Sequence, residues 1–575
     1  MKSKKTVFRK LTTPFFALLV LAACSGGSEN TVEKNASESV DKKIAKKHLT
    51  IGINQYPSTL HRAFWRMTAD HYALSPLVRR PVIYDDNMQL VCRTCVTLPT
   101  LENGLAKMEQ TPDGKPGMAV TFQIQPDARW GDGSPLVADD FKLRWEMGRN
   151  PKVGAKRPSD FAPIYQFDIV DDKTFVLHLD KVFFGYNYIK EMMPVPAHLE
   201  RPIFEENPLE YRKNSLYVTE PLNPGLWHGP YLLEEITFGN QLVMTKNPYW
   251  NGTQPQFEKI TLRAIENTSA LEANLLSGTI DVVAGEAGGF QVDQGLSFEK
   301  RHGHKHQVVY TLGVLYEFMP VNHRNPVLAD KRVRKALMYA LDRQQLNQQI
   351  FGGKQPPAHG LAIRYNQKVS EQVTRYDYDK DRAIALLEAA GWSDIKNGIR
   401  HNAQGEPLRL NLNSISGNKT RELIQQALQA QLKDVGVDLR INNETARAFF
   451  GGTLVKRKFP GLAQMGMPNM GDMPYHNFLN SQSIGSSDNG FQGGNWGGFN
   501  NPEMNRLTDM YEREIDAEKR QILVEKINQL YTDELPHLPL YWRPRVDVLP
   551  LEMTGFRASG HFVVSTNWIE EWRWE

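Results

Sequence analysis

Two short stretches gather side chains able to ligate a metal or bond covalently. Arg301-His302-Gly303-His304-Lys305-His306 alternates three imidazoles, which on a strand would share one face and could hold a metal ion. The basic neighbours Arg301 and Lys305 favour a solvated loop instead. Cys92-Arg93-Thr94-Cys95 sets two thiols three residues apart. In an exported chain that spacing fits a short disulfide or two independent thiols. A redox-active pair would need thioredoxin-like surroundings, and zinc would need two further ligands that have no obvious place in the sequence. Signatures of bond-making chemistry are missing: no G-x-S-x-G, no H-E-x-x-H, no Walker A, and no G-x-G-x-x-G after a strand. The glycine-rich run Gly490 to Pro502 lacks the Lys-Ser/Thr pair that would make it a phosphate cradle. No catalytic chemistry, metal or cofactor is expected from these residues.

The address is written at the start. Lys2, Lys4, Lys5, Arg9 and Lys10 precede a short apolar run, Pro14 to Ala23, too short to span a bilayer, and Leu21-Ala22-Ala23-Cys24 follows. That resembles a lipoprotein signal of residues 1–23, with Cys24 as the lipidated first residue of the mature chain. Residues 24–48 are polar, without aromatics, and read as a flexible tether. At roughly 25–30 Å of reach it would hold a folded body near a membrane, on the periplasmic side of the cell envelope, without embedding it. A chain of 575 residues needs more than one core. Its formal net charge of +3 is small for that length and argues against a nucleic-acid partner.

The elements that would position a site follow from pattern. Leu49 to Ile53 alternates as a first strand before the loop at Tyr56-Pro57-Ser58. Phe122 and Ile124 lie on a strand, Asp132-Gly133 is a tight turn, and Asp139 or Asp140 opens a helix. Tyr231 to Asn247 reads as a hairpin turning at Gly239-Asn240. Ile260 to Val283 reads as strand, helix, strand. Leu312 to Val321 is a strand, after which Asp330 caps a helix bearing Val333, Ala336, Leu337, Ala340 and Leu341 on one side. Arg332, Arg334, Lys335 and Arg343 mark its expected outer side. Further helices are expected over Arg382 to Ala390, Arg421 to Val435, from Glu503, and over Glu518 to Tyr531.

Several of these blocks carry a resemblance. Asn322, Pro326, Asp330, Arg332, Val333, Arg334, Ala336, Leu337, Ala340, Leu341, Asp342 and Arg343 resemble the crossover into the second lobe of bacterial extracellular solute-binding proteins of family 5, the oligopeptide-, dipeptide- and nickel-binding receptors of ABC importers. Trp130, Asp132, Gly133, Pro135, Ala138 and Asp140 match a second family block. Gly229-Pro230-Tyr231, Asn247-Pro248, Asn495-Trp496 and Asn501-Pro502 match others in family order. The resemblance implies an α/β, two-lobed periplasmic-binding-protein fold of the type II, cluster C-like kind, with an extra subdomain in the first lobe. It places lobe I at 49–82, 190–311 and 545–575, the subdomain at 83–189, and lobe II at 312–544.

It also implies the function. A monomeric, lipid-anchored receptor would capture an oligopeptide between its lobes and pass it to ABC permease subunits. The alternatives are a non-peptide ligand such as a metal chelate or sugar derivative, and an exported hydrolase. In the peptide-binding relatives an aspartate meets the ligand amine from a loop that here reads Gly466 to Asn480. Asp472 is the only acid in it, and Asn469 or a neighbour falls at the amine-binding position. Tyr56, His359, Asn495 and Trp496 are the other cleft residues implied by position.

Overall fold

The computed structural model describes residues 47–65, 67–155, 160–361, 371–468, 474–561 and 563–575. Cys24, the tether up to residue 46, and the candidates Asn469 and Asp472 lie outside them.

An eight-stranded mixed sheet runs through the body. Its strands lie in the order Met465–Pro468, His306–Pro320, His537–Pro550, Val282–Val283, His48–Ile53, Lys259–Ala264, Gln241–Lys246 and Tyr231–Thr237. His48–Ile53 is parallel to both of its neighbours, as buried α/β strands usually are. The last two strands form the hairpin marked by Gly239, whose φ of +75° needs glycine's freedom. Four larger packed cores lie around this frame among the described residues. One core gathers Leu49, Ile51, Leu77, Tyr231 and Ile260 with the C-terminal Trp572 and Trp574. A second, from Val82 to Met192, lies under the antiparallel sheet of Ala106–Gln110, Pro116–Gln123, Thr174–Leu179 and Ile164–Asp171. A third unites Ile265, Leu271 and Phe298 with Leu337, Leu387, Leu428 and Leu540, so it draws on chain from both sides of the crossover. A fourth holds Tyr316, Phe318, Phe449, Tyr475, Met504 and Tyr531.

One pair of long strands carries the chain into the stretch 321–536 and back out of it. His306–Pro320 carries it across and His537–Pro550 brings it back. The two are antiparallel partners from His306↔Pro550 to Pro320↔His537, with register shifts between Leu312 and Leu315 and between Glu317 and Phe318. At the first shift Gly313 lies against the Gly560 carbonyl, where a Cβ would collide. Val314 N–H donates to that carbonyl at 2.7 Å.

Two local expectations are revised. The helix opened by Asp330 stops at Tyr339, and Asp342 caps a second one, Arg343–Phe351. Arg334 and Arg343 do not face solvent: they are 3% and 6% exposed. Arg334 donates to the carbonyls of Leu328, Ala329 and Glu534, and Arg343 to those of Pro539 and Tyr376. Long guanidinium stems can turn inward wherever backbone acceptors cluster, which side-chain spacing alone does not reveal. The three histidines do not share a strand, as the loop reading expects: His302 ends the helix Val292–His302, residues 303–305 turn, and His306 begins the crossover strand.

Candidate functional site

A charged crevice opens where the crossover strands meet two helix starts. Its walls include Gln291 and Val292, which precede the crossover. Glu317, Gln355, Asn418, Thr420, Arg421, Tyr541 and Arg543 complete it from the crossover strands and the chain between them. Glu317 is 1% exposed, inside an otherwise apolar strand. Arg421 Nε and Nη2 donate to its two oxygens at 2.6 and 3.1 Å. Arg543 Nη1 lies 3.5 Å from Glu317 Oε2, and Arg543 Nη2 donates to Gln291 Oε1 at 3.4 Å. Burial works against the Arg421 charge, and the Glu317 carboxylate outweighs it, so Arg421 is held above its ordinary pKa.

Local sequence explains the placement. Asn418 caps the helix Lys419–Lys433 by accepting from Arg421 N–H at 3.0 Å, which puts Arg421 in the first turn, beside the crossover strand. Gln291 precedes the helix Val292–His302 on the other wall, its backbone N–H donating to Gln294 Oε1 at 3.1 Å. Two cations face one carboxylate, both helix starts add partial positive charge, and the crevice favours a negative or strongly accepting group. The Gln355 side chain is 4% exposed, and its Oε1 has no hydrogen-bond partner among the described residues. The space left is about 10 Å³, room for about one water molecule. A larger guest needs the walls to part.

The crevice touches the strand that precedes the amine-loop candidates in the sequence. Glu317 pairs with Gly466 on Met465–Pro468, and a Cβ at Gly466 would lie 2.6 Å from Glu317 Oε2. Residues 469–473 follow directly. Asn495 and Trp496 stand beyond that loop. The Asn495 amide donates to the Asn480 and Phe499 carbonyls at 3.1 and 2.8 Å and accepts from Phe499 N–H at 2.9 Å, which fixes the glycine-rich turn. Trp496 packs on Phe478, ring centres 5.7 Å apart, in the fourth core. Tyr56 packs instead on the first core, and burial pushes its phenol up. His359 lines a different cavity, about 560 Å³, together with Arg375, whose Nη2 is 3.2 Å from His359 Nε2. Burial, with Arg343 and Arg375 adding repulsion, pulls His359 down to about 4, so it is neutral at neutral pH. Cys92 and Cys95 are joined as a disulfide within the second core's edge hairpin.

None of the crevice residues was singled out by motif. The usable signal was Glu317 itself, a lone acid in LGVLYEFMPV, and Arg543 in LYWRPRVDV. A charge inside a strand with apolar neighbours is buried only when paired.

The geometry is that of a two-lobed α/β binding protein: two bodies share one sheet and meet over a crevice. The chain belongs to the bacterial extracellular solute-binding proteins of family 5, whose model matches residues 100–488. It is 21% identical over 560 residues to the oligopeptide-binding protein AppA of Bacillus subtilis, covering 97% of each chain. An oligopeptide-binding protein of Thermus thermophilus, solved with a pentapeptide, superposes with a TM-score of 0.70 at 24% identity, over 92% of this chain and 96% of that one. NikZ of Campylobacter jejuni, solved with Ni(L-His), gives 0.69 at 20% identity, over 92% and 99%. The family consists of solute-binding proteins, not enzymes.

Proposed function

We propose that this chain is the ligand-capturing subunit of an ABC importer, that it takes oligopeptides, and that it releases them chemically unchanged to permease subunits. The observation that carries this is the crevice at Glu317, walled by chain from both sides of a two-strand crossover. Such a site forms and dissolves as the two bodies close and part. The naming of relatives such as AppA for oligopeptides supports the ligand class. Lobe I then comprises 49–82, 190–311 and 545–575, the subdomain 83–189, and lobe II 312–544. Lipidation at Cys24 keeps the receptor beside its permease in the envelope.

The test is the identity of what co-purifies. Denatured protein extracted for mass spectrometry should yield intact peptides, and adding those peptides back should raise the melting temperature by mass action. Recovery of cleaved fragments, or of no peptide together with no thermal response to a peptide library, rejects the reading.

A further inference from the structure

A cavity far larger than the crevice lies elsewhere. About 730 Å³ opens at the seam between the four-stranded unit and the helices beyond residue 474, within the size range of small-molecule sites. One wall is Pro116 and the run Asp180 to Gly185, just past the strand Thr174–Leu179. The other is Pro474, Tyr511 to Arg513, and Arg520. No residue is shared with the crevice at Glu317.

Its chemistry is layered. The back is aromatic: the Arg520 guanidinium lies 4.3 Å from the Phe184 ring centre and 3.6 Å from that of Tyr511, one ring from each wall. Arg520 also donates to the Tyr511 carbonyl at 2.5 Å, so its charge is already engaged. Lys115, at the rim, is paired with Asp113 at 2.5 Å. The charges left to face a guest are Lys181, whose Nζ lies 5.4 Å over the Phe183 ring, and Arg513, against Asp180 and Glu512, none of which forms an ion pair among the described residues. Two acids and two cations around apolar walls complement an ammonium and a carboxylate flanking an apolar side chain.

We propose that this seam is a second solute-binding site, taking a short zwitterionic peptide or amino acid with an aromatic or aliphatic side chain. It goes beyond the crevice reading and stands or falls separately. Phe183 and Val182 line the side-chain slot, and the paired charges hold the two termini. Occupancy also joins the two walls, so a bound guest favours the closed arrangement.

The probe is glycyl-p-bromo-L-phenylalanine, soaked into crystals of the protein and titrated by calorimetry. A bromine anomalous peak between Phe183 and Tyr511 is expected. Phe183→Ala and, separately, Lys181→Glu should each weaken binding of this probe at least tenfold. Should Phe183→Ala fail to fold, the surface change Lys181→Glu decides. Bromine found only at the Glu317 crevice overturns the seam site and leaves the crevice reading standing. Bromine found nowhere, with the folded protein still stabilised by oligopeptides, likewise overturns the seam site alone.

Discussion

Glu317 and Asp140 are both carboxylates about 1% exposed, and they are satisfied in opposite ways. Glu317 is held by two guanidiniums, one from a helix 104 residues further along the chain. Asp140 has no cation in hydrogen-bond contact. It accepts from the N–H groups of Val137 and Ala197 at 2.8 and 2.7 Å and from Trp130 Nε1 at 3.0 Å. Burial outweighs those bonds and pushes its carboxyl up to about 6. The contrast separates two tasks. A carboxylate fixed by two backbone N–H groups and an indole, with no cation to release, locks the turn at Val137 against the start of the helix at Ala197. A carboxylate fixed by side chains from separated segments ties those segments together, and can let go.

Four measurements would break or sharpen that contrast. Glu317→Gln leaves Arg421 buried without a counter-charge, and should cost about 4 kcal/mol in chemical denaturation. A Glu317→Met, Arg421→Met double variant should recover most of it, and full additivity of the two single changes would show that the pair is not coupled. Asp140 should show itself in pH dependence. Its folded pKa is about 6 against an ordinary 3.8, so between those values the native state holds a proton that the unfolded chain has lost. Its contribution is therefore most favourable at the acid end and declines by about 3 kcal/mol as pH rises to 6, then stays flat. Asp140→Asn should flatten that slope, and an unchanged slope would move the titration elsewhere. Gly313→Ala places a methyl on the Gly560 carbonyl and should cost about 2 kcal/mol. Arg520→Lys keeps the charge but loses the planar stack across the seam, and should cost about 0.5–1 kcal/mol. A larger loss would make the seam a principal tie between the units.

Much of the framework could be read from the sequence because it is local. Asp330 does cap its helix, accepting from Arg332 N–H at 2.8 Å, and Gly391, with φ +92°, does follow the end of Lys380–Ala389. Asp132-Gly133 is the tight turn, with Gly133 at φ +87°. These depend on neighbours within four residues. The crevice was not legible because Gln291, Gln355, Arg421 and Arg543 are brought together only by the crossover. Arg334 and Arg343 misled for a related reason: their acceptors are carbonyls far along the chain. Of the loop candidates, Asn495 serves its own turn, while Tyr56 and Trp496 belong to different cores.

The crossover ladder has a missing stitch at Gly313. Two straps sewn side by side fold along the gap in the sewing, much as a book opens at a cut in its spine cloth. Here the gap is filled by Gly560, clasped by Val314. Any crease there must tug on the chain's last segment, where Trp568 and Trp572 are sealed from solvent. If the ladder does crease there, the emission of those two indoles should shift when a ligand is added, and an unchanged spectrum on saturation would place the bend elsewhere.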